Sequence, residues 1–163
     1  MPGANPLYYW DTCLFLAWIK DEQRRSGEMD GVREIIERSK RRDCRIMTSA
    51  ITTVEVLQST IPAGVDTMFV GLMKRVSRVS VDIKVAQLAH DIRDHYAKTG
   101  GRKLKTPDAL HLATAILNRA DEFHTFDSDD LLPLSGNVAG HRLVICKPEA
   151  RNPELDLRRP KPT

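Results

Sequence analysis

The sequence predicts a single α/β domain built around a parallel sheet, on three observations. Short apolar runs of strand length alternate with longer segments of helical periodicity, the order that parallel sheets with crossover helices produce. A chain of 163 residues is long enough for one sizeable hydrophobic core. No internal repeat or linker divides residues 1–148, and only the Pro- and Arg-rich residues 149–163 read as an expected disordered tail.

LYYW (Leu7 to Trp10) is an apolar, aromatic run that predicts a buried strand ending at Asp11. A helix follows with Leu14, Phe15, Trp18 and Ile19 on its inner face. Gly27 to Gly31 reads as a break, and Val32 to Arg42 as a second helix. RIMTS (Arg45 to Ser49) predicts the second strand, with Ser49 as N-cap of a helix carrying Ile51, Val54, Glu55 and Leu57. Pro62 and Gly64 close that helix, and Val65 to Val76 reads as another, leading to a strand near Arg78 to Ser80. Asp82 opens a long helix with Val85, Leu88, Ala89, Ile92 and Tyr96 at helical spacing, stopped at Thr99, Gly100 and Gly101. KTPDALHLATA then starts a helix at Thr106 and Pro107, and EFHTF (Glu122 to Phe126) and RLVIC (Arg142 to Cys146) predict the last strands.

Composition narrows the class. Hydrophobic residues are 41% and charged residues 29%, ordinary for a globular domain, and the net charge of +3 permits a polyanionic partner without requiring one. Cys13, Cys44 and Cys146 are odd in number and lack a Cys-x-x-Cys pair, so their spacing indicates neither a disulfide framework nor a zinc site. Buried thiols in a reducing cytoplasm are the expectation. The longest apolar stretch, Cys13 to Ile19, is far short of the roughly 18 residues a membrane span needs.

Ligands of open α/β sheets collect at the carboxyl ends of the strands, near a switch in strand order. Four acids are placed there. Asp11 follows the first strand, Glu55 lies in the helix after the second, Asp108 in the first turn of its helix, and Asp127 after EFHTF. Thr106 as cap and Pro107 at the first position give Asp108 a local logic, since the helix dipole favours a negative charge there by about 0.3–1 kcal/mol. Carboxylates that converge repel one another, and a hard divalent cation such as Mg2+ or Mn2+ resolves the repulsion. Metal-bound water suits phosphodiester hydrolysis, with one ion or with a pair roughly 3.5–4 Å apart.

YYWDTC at Asp11, TTVEVL at Glu55, TPDALHLATA at Asp108 and HTFDSDD at Asp127 together resemble a PIN domain, of the kind found in the VapC toxins of bacterial toxin–antitoxin pairs. The resemblance runs from about Leu7 to Pro148, and TPDALHLATA followed by T-x-D is its most specific part. It implies a three-layer α/β/α domain and a metal-dependent endoribonuclease. It further implies metal-ligand roles for Asp11, Asp108 and Asp127, with Glu55 as a further ligand or water-positioning acid. Thr12 matches the hydroxyl residue that can orient the first aspartate. In the last position Asp127 is the first choice and Asp130 the second, with Asp129 also near. The resemblance implies RNA as substrate, a cognate antitoxin as partner and a homodimer, with exposed apolar positions between Val32 and Val76 as candidate contacts. A housekeeping RNA-processing nuclease and a non-catalytic binding module are the rival readings.

Each acid has a plainer role open to it. Asp11 and Asp108 could be helix-start residues, Glu55 a solvated helix residue, and Asp127 to Asp130 a surface turn. The functional case rests on the set. His111, one turn after Asp108, is expected to be packed or hydrogen-bonded at the rim, His124 to be a strand residue, and the Tyr8–Trp10 cluster to be core. Cys13 has no histidine nearby in sequence and reads as a small buried group rather than a nucleophile. Arg102, Lys103 and Lys105 lead into Asp108 and are the candidate phosphate contacts.

Overall fold

The computed structural model describes residues 4–25, 27–100 and 103–150. Five parallel strands form one sheet in the order β3-β2-β1-β4-β5: β1 (Leu7–Trp10), β2 (Arg45–Ser49), β3 (Val76–Val79), β4 (Glu122–His124) and β5 (Ile145–Cys146). The sequence order of the strands reverses at β1, which pairs β2 on one side (Tyr8 opposite Ile46) and β4 on the other (Tyr8 opposite Glu122).

Among the described residues six α-helices cover the sheet: α1 (Thr12–Lys20), α2 (Glu28–Lys40), α3 (Ile51–Glu55), α4 (Asp66–Met73), α5 (Ile83–Thr99) and α6 (Thr106–Leu117). Because side chains alternate across a strand, β1 serves two cores at once. Tyr8 and Trp10 join Phe15, Trp18, Ile35 and Leu72 on the side of α1, α2 and α4. Tyr9 joins Ile92, Leu112, Phe123 and Leu131 on the side of α5 and α6. The result is the expected three-layer arrangement, with the aromatic run of β1 in the core.

Several element limits differ from the sequence expectation. Helix α2 begins at Glu28, and Gly31 lies inside it rather than in a break. A methyl group at Gly31 would come 2.2 Å from the Pro148 carbonyl oxygen, so the glycine lets α2 lie directly on the segment after β5. Strand β3 starts at Val76, two residues earlier than expected, because α4 already ends at Met73. Strand β5 is only Ile145–Cys146. Its partner β4 has three residues, so the Leu143 carbonyl is taken by Gly136 N–H instead of by a strand. At α6 the cap position is Lys105, with extended backbone and no side-chain capping bond, so Thr106 is the first helical residue rather than the cap. Ala50 likewise takes the cap position of α3, although the Ser49 hydroxyl accepts a bond from Ile51 N–H at 3.2 Å. The tail expectation for residues 151–163 and the phosphate role for Arg102 lie outside the described residues. Among the described residues no helix is long and apolar enough to cross a membrane.

Candidate active site

Reversal of strand order between β1 and β4 opens a crevice at their carboxyl ends, where α/β sheets of this kind bind ligands. Asp11, Glu55, Asp108 and Asp127 all line one cavity there, of about 420 Å³, together with Thr12, Cys13, Arg24 and Phe126. The four acids come from four segments spread over more than a hundred residues of chain, and the sheet brings them together.

Asp11 is buried and held at both oxygens. Its Oδ1 accepts the Thr12 backbone N–H at 2.8 Å, which caps α1, and its Oδ2 accepts the Thr125 hydroxyl at 2.9 Å. Thr125 also accepts the Asp127 backbone N–H at 3.0 Å, so one buried hydroxyl ties the ends of β1 and β4 to each other. The Asp127 Oδ1 in turn accepts the backbone N–H groups of Asp129 and Asp130, at 3.1 and 2.9 Å, folding the acidic turn back on itself. Cys13 packs beside Asp11, and burial together with that carboxylate pushes its thiol up to about 12. It is therefore a thiol at neutral pH, in keeping with a packing role.

Glu55 is positioned by a chain of hydrogen bonds through the interior. Its Oε1 accepts the Thr12 hydroxyl at 2.8 Å and lies 2.7 Å from His111 Nε2. His111 is fully buried, and its Nδ1 meets the Tyr9 hydroxyl, which also accepts Ser49 N–H at 3.0 Å. With Tyr9 donating to Nδ1, the imidazole carries its proton on Nε2 and donates it to Glu55. The His111 bond, helped by Thr12, holds the Glu55 carboxyl below its ordinary range against the opposing effect of burial. Thr12 thus holds Asp11 through its backbone, while its hydroxyl orients Glu55 rather than Asp11.

Asp108 behaves in the opposite way. Burial, then the charges of Asp11 and Asp127, push its carboxyl from 3.8 to about 6, with His111 and Lys105 pulling weakly the other way. One carboxylate oxygen from each of Asp108, Asp127 and Asp130 lies within 4.8 Å of the others. Asp130 therefore accompanies Asp127 beside Asp108 instead of replacing it. An all-oxygen, mutually repelling donor set with one acid held above its ordinary range fits a hard divalent cation such as Mg2+ or Mn2+.

Basic groups flank the acids unevenly. Lys105 is near enough to Asp108 to lower its titration, and Lys103 is exposed just before it. Arg24, in the loop after α1, lines the cavity with its guanidinium 3.9 Å from the centre of the Phe126 ring and 2.9 Å from Glu22. Sequence reading gave no role to Arg24, to Thr125 or to the His111–Glu55 bond. The T-x-D spacing of Thr125 and Asp127 was the one available signal, and it pointed at the aspartate alone.

The family model described as the PIN domain matches residues 8–132. The chain belongs to the PIN domain family. Among solved structures, this PIN domain is similar to a toxin–antitoxin complex from Klebsiella pneumoniae at 22% identity and TM-score 0.56, covering 83% of this chain and 99% of that one. It is similar to VapBC2 from Rickettsia felis, bound to a DNA fragment from the promoter, at 14% identity and TM-score 0.59, covering 85% and 98%. FitAcB from Neisseria gonorrhoeae is similar at 19% identity and TM-score 0.57, covering 86% and 97%. At these identities the likeness bears on the fold. Comparison with curated protein sequences gives no match.

Proposed function

We propose that this PIN domain is a metal-dependent endoribonuclease and acts as the toxin of a toxin–antitoxin pair. The observation that carries the proposal is the convergence of Asp11, Glu55, Asp108 and Asp127 on one cavity at the β1/β4 crevice. Asp11, Asp108 and Asp127, with Asp130 beside them, would hold Mg2+ or Mn2+. Such an ion would supply Lewis-acid stabilisation of phosphate charge and would make a bound water more acidic.

The chain's own groups do the rest. Glu55 is ionised at neutral pH and keeps one oxygen engaged by His111 and Thr12, so its other oxygen can orient a water molecule and accept its proton. Thr125 keeps Asp11 and the Asp127 backbone in register, so that a small movement of either strand end does not separate the acids. Arg24 and Lys105 stand on the rim as contacts for the phosphates flanking the scissile bond, with Lys103 further out. Contacts of that kind make binding fall as salt rises.

These structural neighbours are toxin–antitoxin complexes, which supports an antitoxin as the partner of this chain; the cytoplasm is its proposed place of action. Val54, Leu57 and Val70 are 73%, 57% and 53% exposed, large apolar groups on α3, its following loop and α4 that suit an antitoxin or homodimer contact. The test is cleavage of a total small-RNA pool by purified, antitoxin-free protein with Mn2+ or Mg2+, with chelator, and with Asp108→Asn. Discrete fragments that require both the metal and Asp108 are the expected result. Cleavage that persists in folded Asp108→Asn, or none from folded wild type with metal, would overturn the proposal.

A further inference from the structure

A second cluster of ligating side chains stands on the face of the sheet turned towards α2, away from the acid crevice. Glu122 and His124 are two residues apart on β4 and so project from the same face. Cys146 of β5 is the register partner of His124, which places its side chain beside the pair. Glu122 Oε2 lies 2.7 Å from His124 Nε2 and 3.6 Å from Cys146 Sγ, and one ligand atom from each residue falls within 4.8 Å of the other two. The three side chains line a cavity of about 340 Å³ shared with Tyr8, Arg38 and Glu149, which has no lining residue in common with the acid crevice.

His124 supplies an independent sign that the cluster is incomplete as it stands. The residue is 1% exposed, its ring lines the cavity, and its Nδ1 has no hydrogen-bond partner. If Nε2–H donates to Glu122, Nδ1 is a buried acceptor with nothing to accept. If the proton sits on Nδ1, the Nε2 lone pair faces a carboxylate oxygen. Either neutral tautomer thus leaves one nitrogen badly placed. A cation bound at Nε2 removes the second conflict and leaves the ring proton on Nδ1.

We propose that Glu122, His124 and Cys146 form a second metal site, of zinc type, that clips the edge strand β5 to β4. Imidazole, thiolate and carboxylate are the donors zinc prefers, and three protein ligands beside a cavity leave the fourth tetrahedral position to water or to Glu149. Burial and the Glu122 charge push the Cys146 thiol up to about 12, and a bound divalent cation reverses that balance by stabilising the thiolate. The basic groups of the cavity are already engaged. Lys147 pairs with Glu28 at 2.7 Å, and Arg38 reaches the Tyr8 hydroxyl at 3.4 Å. The clip has a structural purpose, since β5 contributes only two residues to the ladder. Cysteine spacing could not reveal it, because the ligands are a Glu-x-His pair and one cysteine 22 residues further on. The proposal stands independently of the nuclease reading.

The test uses the full chain, stripped with chelator and titrated first with Co2+ and then with Zn2+. The expected result is a thiolate-to-cobalt charge-transfer band with tetrahedral visible bands, displaced by Zn2+. The band should be absent in Cys146→Ser and retained in Cys13→Ser and Asp108→Asn. Zn2+ affinity should fall at least about tenfold in Cys146→Ser and Glu122→Gln, and Zn2+ should raise the melting temperature of wild type but not of Cys146→Ser. Folded wild type without such a band overturns the proposal. So does a band lost in Cys13→Ser but kept in Cys146→Ser, because it would put the ion at the acid crevice.

Discussion

Asp108→Asn should make the metal-free protein more stable while removing its activity. The Asp108 carboxyl titrates at about 6 in the folded chain instead of at 3.8. A difference of roughly two units corresponds to about 3 kcal/mol at most. The group is partly open to solvent, which screens the interaction, so about 1–2 kcal/mol is the expected size. The folded state holds this proton more tightly than the unfolded state does. Stability therefore falls as pH rises between about 4 and 6, and the destabilisation is complete above that range. Asparagine keeps the shape and never ionises.

Urea denaturation in the presence of chelator should show the variant ahead by about 1–2 kcal/mol at pH 7, with the gap closing towards pH 4. Added Mg2+ should narrow or reverse the gap, since an ion at a hundred times its Kd stabilises the wild type by about 2.7 kcal/mol and the variant by less. A variant no more stable than wild type at pH 7, or a gap that is flat with pH, refutes the reasoning.

Three further perturbations separate the parts of the site from its frame. Thr125→Val keeps the volume but removes the hydroxyl bonded to Asp11 and to Asp127 N–H, and should lower stability by about 1.5–3 kcal/mol and weaken Mn2+ binding, read by urea denaturation and metal titration. His111→Leu removes the donor that holds the Glu55 carboxyl down, so the Glu55 carboxylate should titrate higher by NMR; an unmoved titration would assign the effect elsewhere. Gly31→Ala would gain up to about 1 kcal/mol of helix propensity in isolation, yet its methyl meets the Pro148 carbonyl, so a net loss of about 1–3 kcal/mol and a melting point several degrees lower are expected.

Local signals in the sequence carried the architecture because they are local in physics. LYYW ends at Trp10 as expected because Asp11 turns the chain into α1, and α5 begins after Asp82 because its side chain accepts Val85 N–H at 2.9 Å. Gly31 misled because a glycine in a helical pattern reads as a break unless one knows what lies against it. The contacts that build both sites are long-range. Thr125 meets Asp11 across 114 residues, and His111 meets Glu55 across 56. Cys146 meets Glu122 across 24, in a register set by neighbouring strands and not by spacing. Residue types and rim positions were legible, but which hydroxyl held which acid was not.

An acid just inside a helix among leucines and alanines admits two explanations, and its titration separates them. A carboxylate present only to stabilise a helix start gains about 0.3–1 kcal/mol from the dipole and should titrate below its ordinary value. Asp108 lies in the first turn of α6 and titrates above it, so burial and the neighbouring Asp11 and Asp127 outweigh the helix. Asp11 shows that the two roles coexist, since one oxygen caps α1 while the other is held by Thr125 at the cavity. Capping accounts for where these acids can be tolerated, but not for three of them repelling one another at a strand switch point. Natural chains retain such local conflict where a function requires it.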